Sequence, residues 1–136
     1  MQKDQENPSE ELLQAIAEFN RGDWFECHET LEELWVGTKG DLRDFYQGVL
    51  QLAVALYHWH NGNFKGALTL LLGAIGCLKR VTAVFLGVNV ARLVADASEL
   101  SEALSALGEE RMSELAPGLI PKIGLGKDEN RQWSRR

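Results

Sequence analysis

Residues 9–116 contain no proline; the chain's three prolines are Pro8, Pro117 and Pro121. Proline removes a backbone donor and clashes with the preceding helical turn, so its confinement to the ends leaves the interior free to be helical. Glycine and short capping residues supply the punctuation instead. Ser9 stands before Leu12, Leu13, Ile16 and Phe19, a spacing that predicts a helix to about Asn20. "RGD" at 21–23 breaks it. Asp23, with Glu26 three residues on, predicts a capping-box start for a second helix ending at Gly37. A third helix opens at Asp41 and is apolar around most of its circumference to about Trp59, as expected of a helix surrounded by neighbours. "NGN" at 61–63 ends it and caps a fourth, which runs to about Lys79. Residues 81–88, "VTAVFLGV", are β-branched, but one strand has nothing to pair with, so an extended connector is expected. Asn89 caps a fifth helix ending at Gly108, with Val90, Leu93, Val94 and Ala97 inward.

"RGDWFECHETLEE" and "NGNFKGALTLLLG" align at a forty-residue offset, with Gly22 on Gly62, Asp23 on Asn63, Trp24 on Phe64 and Cys27 on Ala67. Glycine, cap, aromatic, then a small residue three positions later is the turn between two antiparallel helices, as in tetratricopeptide hairpins. Two copies are too few for a solenoid. The expected fold is therefore all-α, a compact bundle of about five helices built from antiparallel hairpins with tetratricopeptide-like turns. The expected organisation is an arm at 1–8, one helical domain at 9–115 and an irregular basic tail at 116–136.

A chain of 136 residues with 45% hydrophobic and 25% charged residues is one ordinary globular domain. Its net charge of −6 and pI near 5.1 argue against binding nucleic acid or an anionic membrane. Small molecules, another protein or a second copy of the chain remain as partners. Positive charge gathers from Pro117 onward, where three Arg and two Lys face one Asp and one Glu. Such a tail either solvates the chain, folds back on the acidic body or reaches for an acidic partner. The start lacks the apolar segment of a secretory signal, and no apolar run is long enough to span a membrane. Cys27 and Cys77 lack CxxC spacing and read as small core residues in a reducing cytoplasm.

Chemistry concentrates in "DWFECHETLEELW", residues 23–35. Trp24, His28, Leu31 and Trp35 follow steps of four, three and four and so share one stripe. Cys27 and Leu34 widen it on one side; Phe25, Glu29 and Glu32 border it on the other. His28 and Glu32, one turn apart, suit a hydrogen bond or two ligands of one metal. Gln47, Gln51 and His58 draw a polar line down the third helix, and Asp44 extends it. The short loop between the helices makes them antiparallel neighbours, and the simplest arrangement has Gln47 and Gln51 facing His28 and Glu32.

"FNRGDWFECHETLEELW" followed by "YQGVLQLAVALYHWHNGN" resembles the prokaryotic family known as domain of unknown function 309, marked by a HxxxExxW/Y motif, here His28, Glu32 and Trp35. The resemblance covers about residues 12–95. It implies an all-α fold and a metal-binding role for the motif, and it carries no established activity.

Three chemistries compete for the cluster. In the structural one, His28 and Glu32 pair and, with Gln47, fix two helices. In the metal one, His28 and Glu32 hold a divalent ion, zinc or another transition metal, and "HETLE" resembles a zincin HExxH with Glu29 as hydrolytic general base. Such a zinc needs a third protein ligand, for which His58 is the candidate. The third is metal-free acid–base chemistry by the His–Glu pair. Trp24 and Trp35, with Gln47 and Gln51, either wall a pocket or belong to the core. Two functions follow: a small metal-binding, hydrolytic protein, or a helical-hairpin protein-interaction module in which the cluster is structural.

Overall fold

A computed structural model describes residues 7–126; residues 1–6 and 127–136, with most of the expected arm and most of the tail's charge, lie outside the described residues. Within them the chain forms α1 (Glu10–Arg21), α2 (Trp24–Trp35), α3 (Gly40–His60), α4 (Phe64–Leu78) and α5 (Val90–Arg111). Each helix packs on the next in sequence, and α3 lies between α2 and α4. The all-α bundle of helical hairpins expected from the pattern is the fold that forms.

The repeated turns share their backbone chemistry. Gly22 (φ +87) and Gly62 (φ +80) adopt the left-handed conformation that costs glycine least. The N–H of Asp23 then donates to Glu18 O, and that of Asn63 to His58 O, five residues back in each case. The copies differ in their caps. Asn63 Oδ1 accepts from the Gly66 N–H at 3.0 Å. Asp23 makes no side-chain cap bond, because its carboxylate is drawn back to Arg21 Nε at 2.9 Å; the expected capping box is not built. Ser9 and Asn89 cap as predicted, accepting from the N–H groups of Leu12 and Arg92 at 3.1 Å each.

The core runs through all five helices, with Phe19, Leu31, Phe45, Leu52, Leu71, Leu78 and Leu93 essentially inaccessible. Helices α3 and α4 approach closely because Gly48 lacks a side chain: a Cβ there would lie 2.6 Å from Leu78 Cγ. Cys27 and Cys77 are both buried and free. Burial, reinforced by the charge of Glu18, pushes the Cys27 thiol up to about 12, which removes it as a nucleophile at neutral pH.

The connector expected at 81–88 is instead a hairpin. β1 (Val84–Phe85) pairs antiparallel with β2 (Val88–Asn89) across the two-residue turn Leu86–Gly87. Both turn residues have positive φ, +51 and +77, the backbone of a type I′ turn. The segment's partner is its own continuation. Val88 also bridges to Leu125, so the chain returns as a third short line. Helix α5 breaks at Gly108, whose φ of +78 and ψ of 177 are non-helical, then turns again through Arg111. Beyond it, 3-10 turns at Met112–Glu114 and Pro117–Leu119 lead to a segment held by Asn20. Asn20 Oδ1 accepts from the Ile123 N–H at 2.8 Å and Asn20 Nδ2 donates to Ile123 O at 3.1 Å, while Lys122 Nζ donates to Asn20 O at 2.8 Å.

Candidate functional site

Of the side chains singled out in the sequence, Trp24, His28, Glu32, Trp35, Gln47, Gln51 and His58 line the open groove between α2 and α3, and Glu29 and Asp44 do not. Because the helices are antiparallel, late residues of α2 face early residues of α3, and early face late. One cleft, about 190 Å³, is lined by Glu32, Trp35, Gln47, Leu50 and Gln51. A second, about 140 Å³, is lined by Trp24, Phe25, His28, Val54, Tyr57 and His58. Gln47 and Gln51 therefore share a cleft with Glu32, as the spacing predicts. His28 does not join them; it lies in the neighbouring cleft with Val54, the apolar residue that interrupts the polar line on α3. His28 Nε2 and Glu32 Oε1, 3.7 Å apart, form the seam between the two clefts. That separation is an ion-pair contact and too long for a hydrogen bond.

Metal ligation can be tested against the donors. Among the described residues no group of three His, Cys, Asp or Glu side chains is gathered closely enough to hold an ion. His58, the candidate third ligand, lies across the cleft from His28, but its ring is committed elsewhere. Asn63 Oδ1 is fixed by the Gly66 N–H, so the Asn63 amide presents Nδ2, a donor, to His58 Nδ1 at 3.3 Å. His58 Nδ1 must then accept, which puts its proton on Nε2. A ligating imidazole ordinarily binds metal through one nitrogen and donates its other N–H to an acceptor. His58 has the reverse arrangement. Glu29 is exposed on the outer edge of α2 with no hydrogen-bond or ion-pair partner among the described residues. Asp44 is engaged by Arg80 Nη1 at 3.3 Å and stands outside both clefts. The donor set present is a half-exposed His–Glu pair, which does not fit a three-ligand zinc centre.

The aromatic side chains do more than line a core. Phe25 and Tyr57 face each other across the groove at 5.7 Å and are exposed by 46% and 38%. Phe25 also rests on His28 at 5.9 Å. Trp24 packs edge-on against Trp59 and His60. At the other end the Arg43 guanidinium sits 4.0 Å over the ring of Trp35. The buried indole N–H groups of Trp24 and Trp35 and the buried Gln51 Oε1 have no hydrogen-bond partner among the described residues. Gln51 Oε1 instead abuts the backbone of α4, where a Cβ on Gly73 would come within 2.8 Å of it. Phe25 and Tyr57 were not among the sequence candidates. Phe25 stood only at the border of the α2 stripe, and Tyr57 was one of many apolar residues on α3; their pairing exists only once the helices are in register.

Comparison with known proteins places this groove. Residues 12–70, from α1 into α4, match the family described as "Domain of unknown function (DUF309)". The uncharacterized protein YpuF of Bacillus subtilis (strain 168) is 45% identical over 58 residues, 42% of this chain and 33% of that protein. An uncharacterized protein of Aquifex aeolicus (strain VF5) is 28% identical over 93 residues, 68% of this chain and 28% of its own length. The matches thus span a third or less of these relatives. All residues lining the two clefts fall inside the family match, whereas the β-hairpin, α5 and the Ile123 segment fall outside it. Over residues 12–70, less than half of its length, the chain is similar to the DUF309 family.

Proposed function

We propose that the chain is a helical binding module that receives a segment of another protein in the groove between α2 and α3. The observation that carries this reading is the exposed Phe25–Tyr57 ring pair at the mouth of an apolar cleft. Exposed aromatic rings backed by a rigid helical pair are the side chains that anchor interfaces. The glutamate–glutamine cleft beside them supplies polar groups for orientation. No helix among the described residues is long and apolar enough to cross a membrane. The test is site-specific photocrosslinking in cells, with a benzophenone amino acid at Tyr57 and, as a control, at Glu102 on the exposed side of α5. A discrete adduct formed from position 57, absent from position 102 and lost on Phe25→Ala, is expected. Equal adducts from both positions would refute the groove.

A second reading keeps a divalent metal at His28 and Glu32, because their 3.7 Å separation on one helix face offers two donors. Solvent would complete the coordination, and the hydrolytic role for Glu29 depends on that ion. Elemental analysis after zinc, manganese, iron or nickel supplementation decides it. Stoichiometric metal in the wild type, lost in His28→Ala and Glu32→Ala, supports this reading; no metal in any of the three rejects it.

A further inference from the structure

We propose that the groove's partner is a peptide segment in which basic side chains alternate with apolar ones; this rests on the binding-module reading and specifies its chemistry. Helix α2 carries Glu26, Glu29, Glu32 and Glu33 and no lysine or arginine; Glu32 lines the groove and Glu29 borders it, while Glu26 and Glu33 lie around the helix toward solvent. Among the described residues no cation of the chain neutralises Glu26, Glu29 or Glu33, and Glu32 meets only His28. Glu29 follows Phe25 by one helical turn on the outer edge of α2, and Glu32, two turns beyond Phe25, lines the neighbouring cleft. An arginine or lysine can lay its aliphatic stem on Phe25 and Tyr57 and bring its charged head to Glu32 and Glu29. An apolar neighbour enters between Trp24, Val54 and Tyr57. The chain itself uses the same chemistry at the other end of the groove, where Arg43 covers Trp35 at 4.0 Å. An acidic segment or an anionic lipid surface meets the like charges of Glu29 and Glu32, and a second copy of the chain brings the same carboxylates with it.

The test selects random dodecapeptides displayed on phage against the full chain. Selected peptides are then measured by calorimetry against wild type, the double variant Glu29→Gln/Glu32→Gln, and Phe25→Ala. The glutamine variant keeps shape and removes two charges at exposed positions, so folding is preserved, as circular dichroism verifies. The expected result is enrichment in Lys and Arg interleaved with Leu, Ile or Phe. Affinity should fall roughly tenfold in the glutamine variant and in wild type at 0.5 M salt, as exposed charge pairs are screened. Selection of neutral or acidic peptides that lose affinity in Phe25→Ala would overturn the charge assignment and leave the groove standing. Failure to select any peptide dependent on Phe25 would overturn both. Concentration-dependent dimerisation abolished by Phe25→Ala would assign the groove to a second copy and overturn the proposal.

Discussion

Asn20 and the α2–α3 groove are two polar regions of one small bundle, treated in opposite ways. At Asn20 each amide atom meets a complementary group of Ile123, so the side chain acts as a stretch of strand for the returning segment. Glu18, two residues earlier, is nearly as closed: its buried carboxylate accepts from Thr30 Oγ1 at 2.8 Å and Gln14 Nε2 at 3.0 Å. Beside the groove, the buried indole N–H groups of Trp24 and Trp35 have no partner among the described residues, and neither does the Gln51 amide oxygen turned toward α4. Glu26, Glu29 and Glu33 carry charge that no cation among those residues neutralises. Satisfied polar groups stabilise the free protein; unsatisfied ones weaken it and become useful only when something else arrives to meet them. On the proposed reading, the difference separates residues that hold the fold from residues that await a partner.

Substitutions on the two sides should therefore behave differently. Asn20→Ala removes both bonds to Ile123 and should cost about 2–4 kcal/mol in urea unfolding. A loss under about 0.5 kcal/mol would show that the clamp is ornamental. Thr30→Val keeps shape but strips a donor from the buried Glu18 carboxylate, an expected loss of about 1.5–3 kcal/mol. Gly73→Ala should instead stabilise by about 0.5–1 kcal/mol, since alanine is the better helix former and Gln51, which it displaces, ends in a movable amide. The same change pushes Gln51 toward the groove, so peptide affinity should fall while the melting temperature rises. Gln51→Met, close in size and without the orphaned oxygen, should change stability by less than about 0.5 kcal/mol. A large loss would make Gln51 structural and erase the contrast. The smallest energetic effect is expected from Asn63→Asp, which can still cap α4 but offers His58 an acceptor in place of a donor. Nitrogen chemical shifts of His58 should then report the proton moving to Nδ1.

The helices were legible in the sequence because their signals are local. Ser9, Asn63 and Asn89 sit at helix starts and perform there. Asp23 looked equivalent and failed because Arg21, two residues away, offered its carboxylate a charged partner. The hairpin escaped notice because its turn is Leu–Gly: glycine suits a positive φ, but leucine at +51 is a strained choice that no turn preference predicts. The site was half legible. Spacing placed Glu32 with Gln47 and Gln51, but helical phase alone could not set the register along the helix axes, and that register puts His28 opposite Val54. The tautomer of His58 required a chain of three contacts, Gly66 to Asn63 to His58, that only coordinates supply. The Asn20–Ile123 pairing has no local signature at all.

That pairing also bears on the order in which the chain folds. Its two residues are 103 positions apart, whereas α1 to α4 meet through loops of two to four residues. Closing so long a loop costs more chain entropy than closing a hairpin turn, and topology of this kind slows the steps that need it. The helical hairpins that carry the groove should form early, and the returning segment should dock last. Pulse-labelled refolding gives the order: protection of the Ile123 amide should lag behind that of Leu31 and Leu52, and simultaneous protection would contradict it.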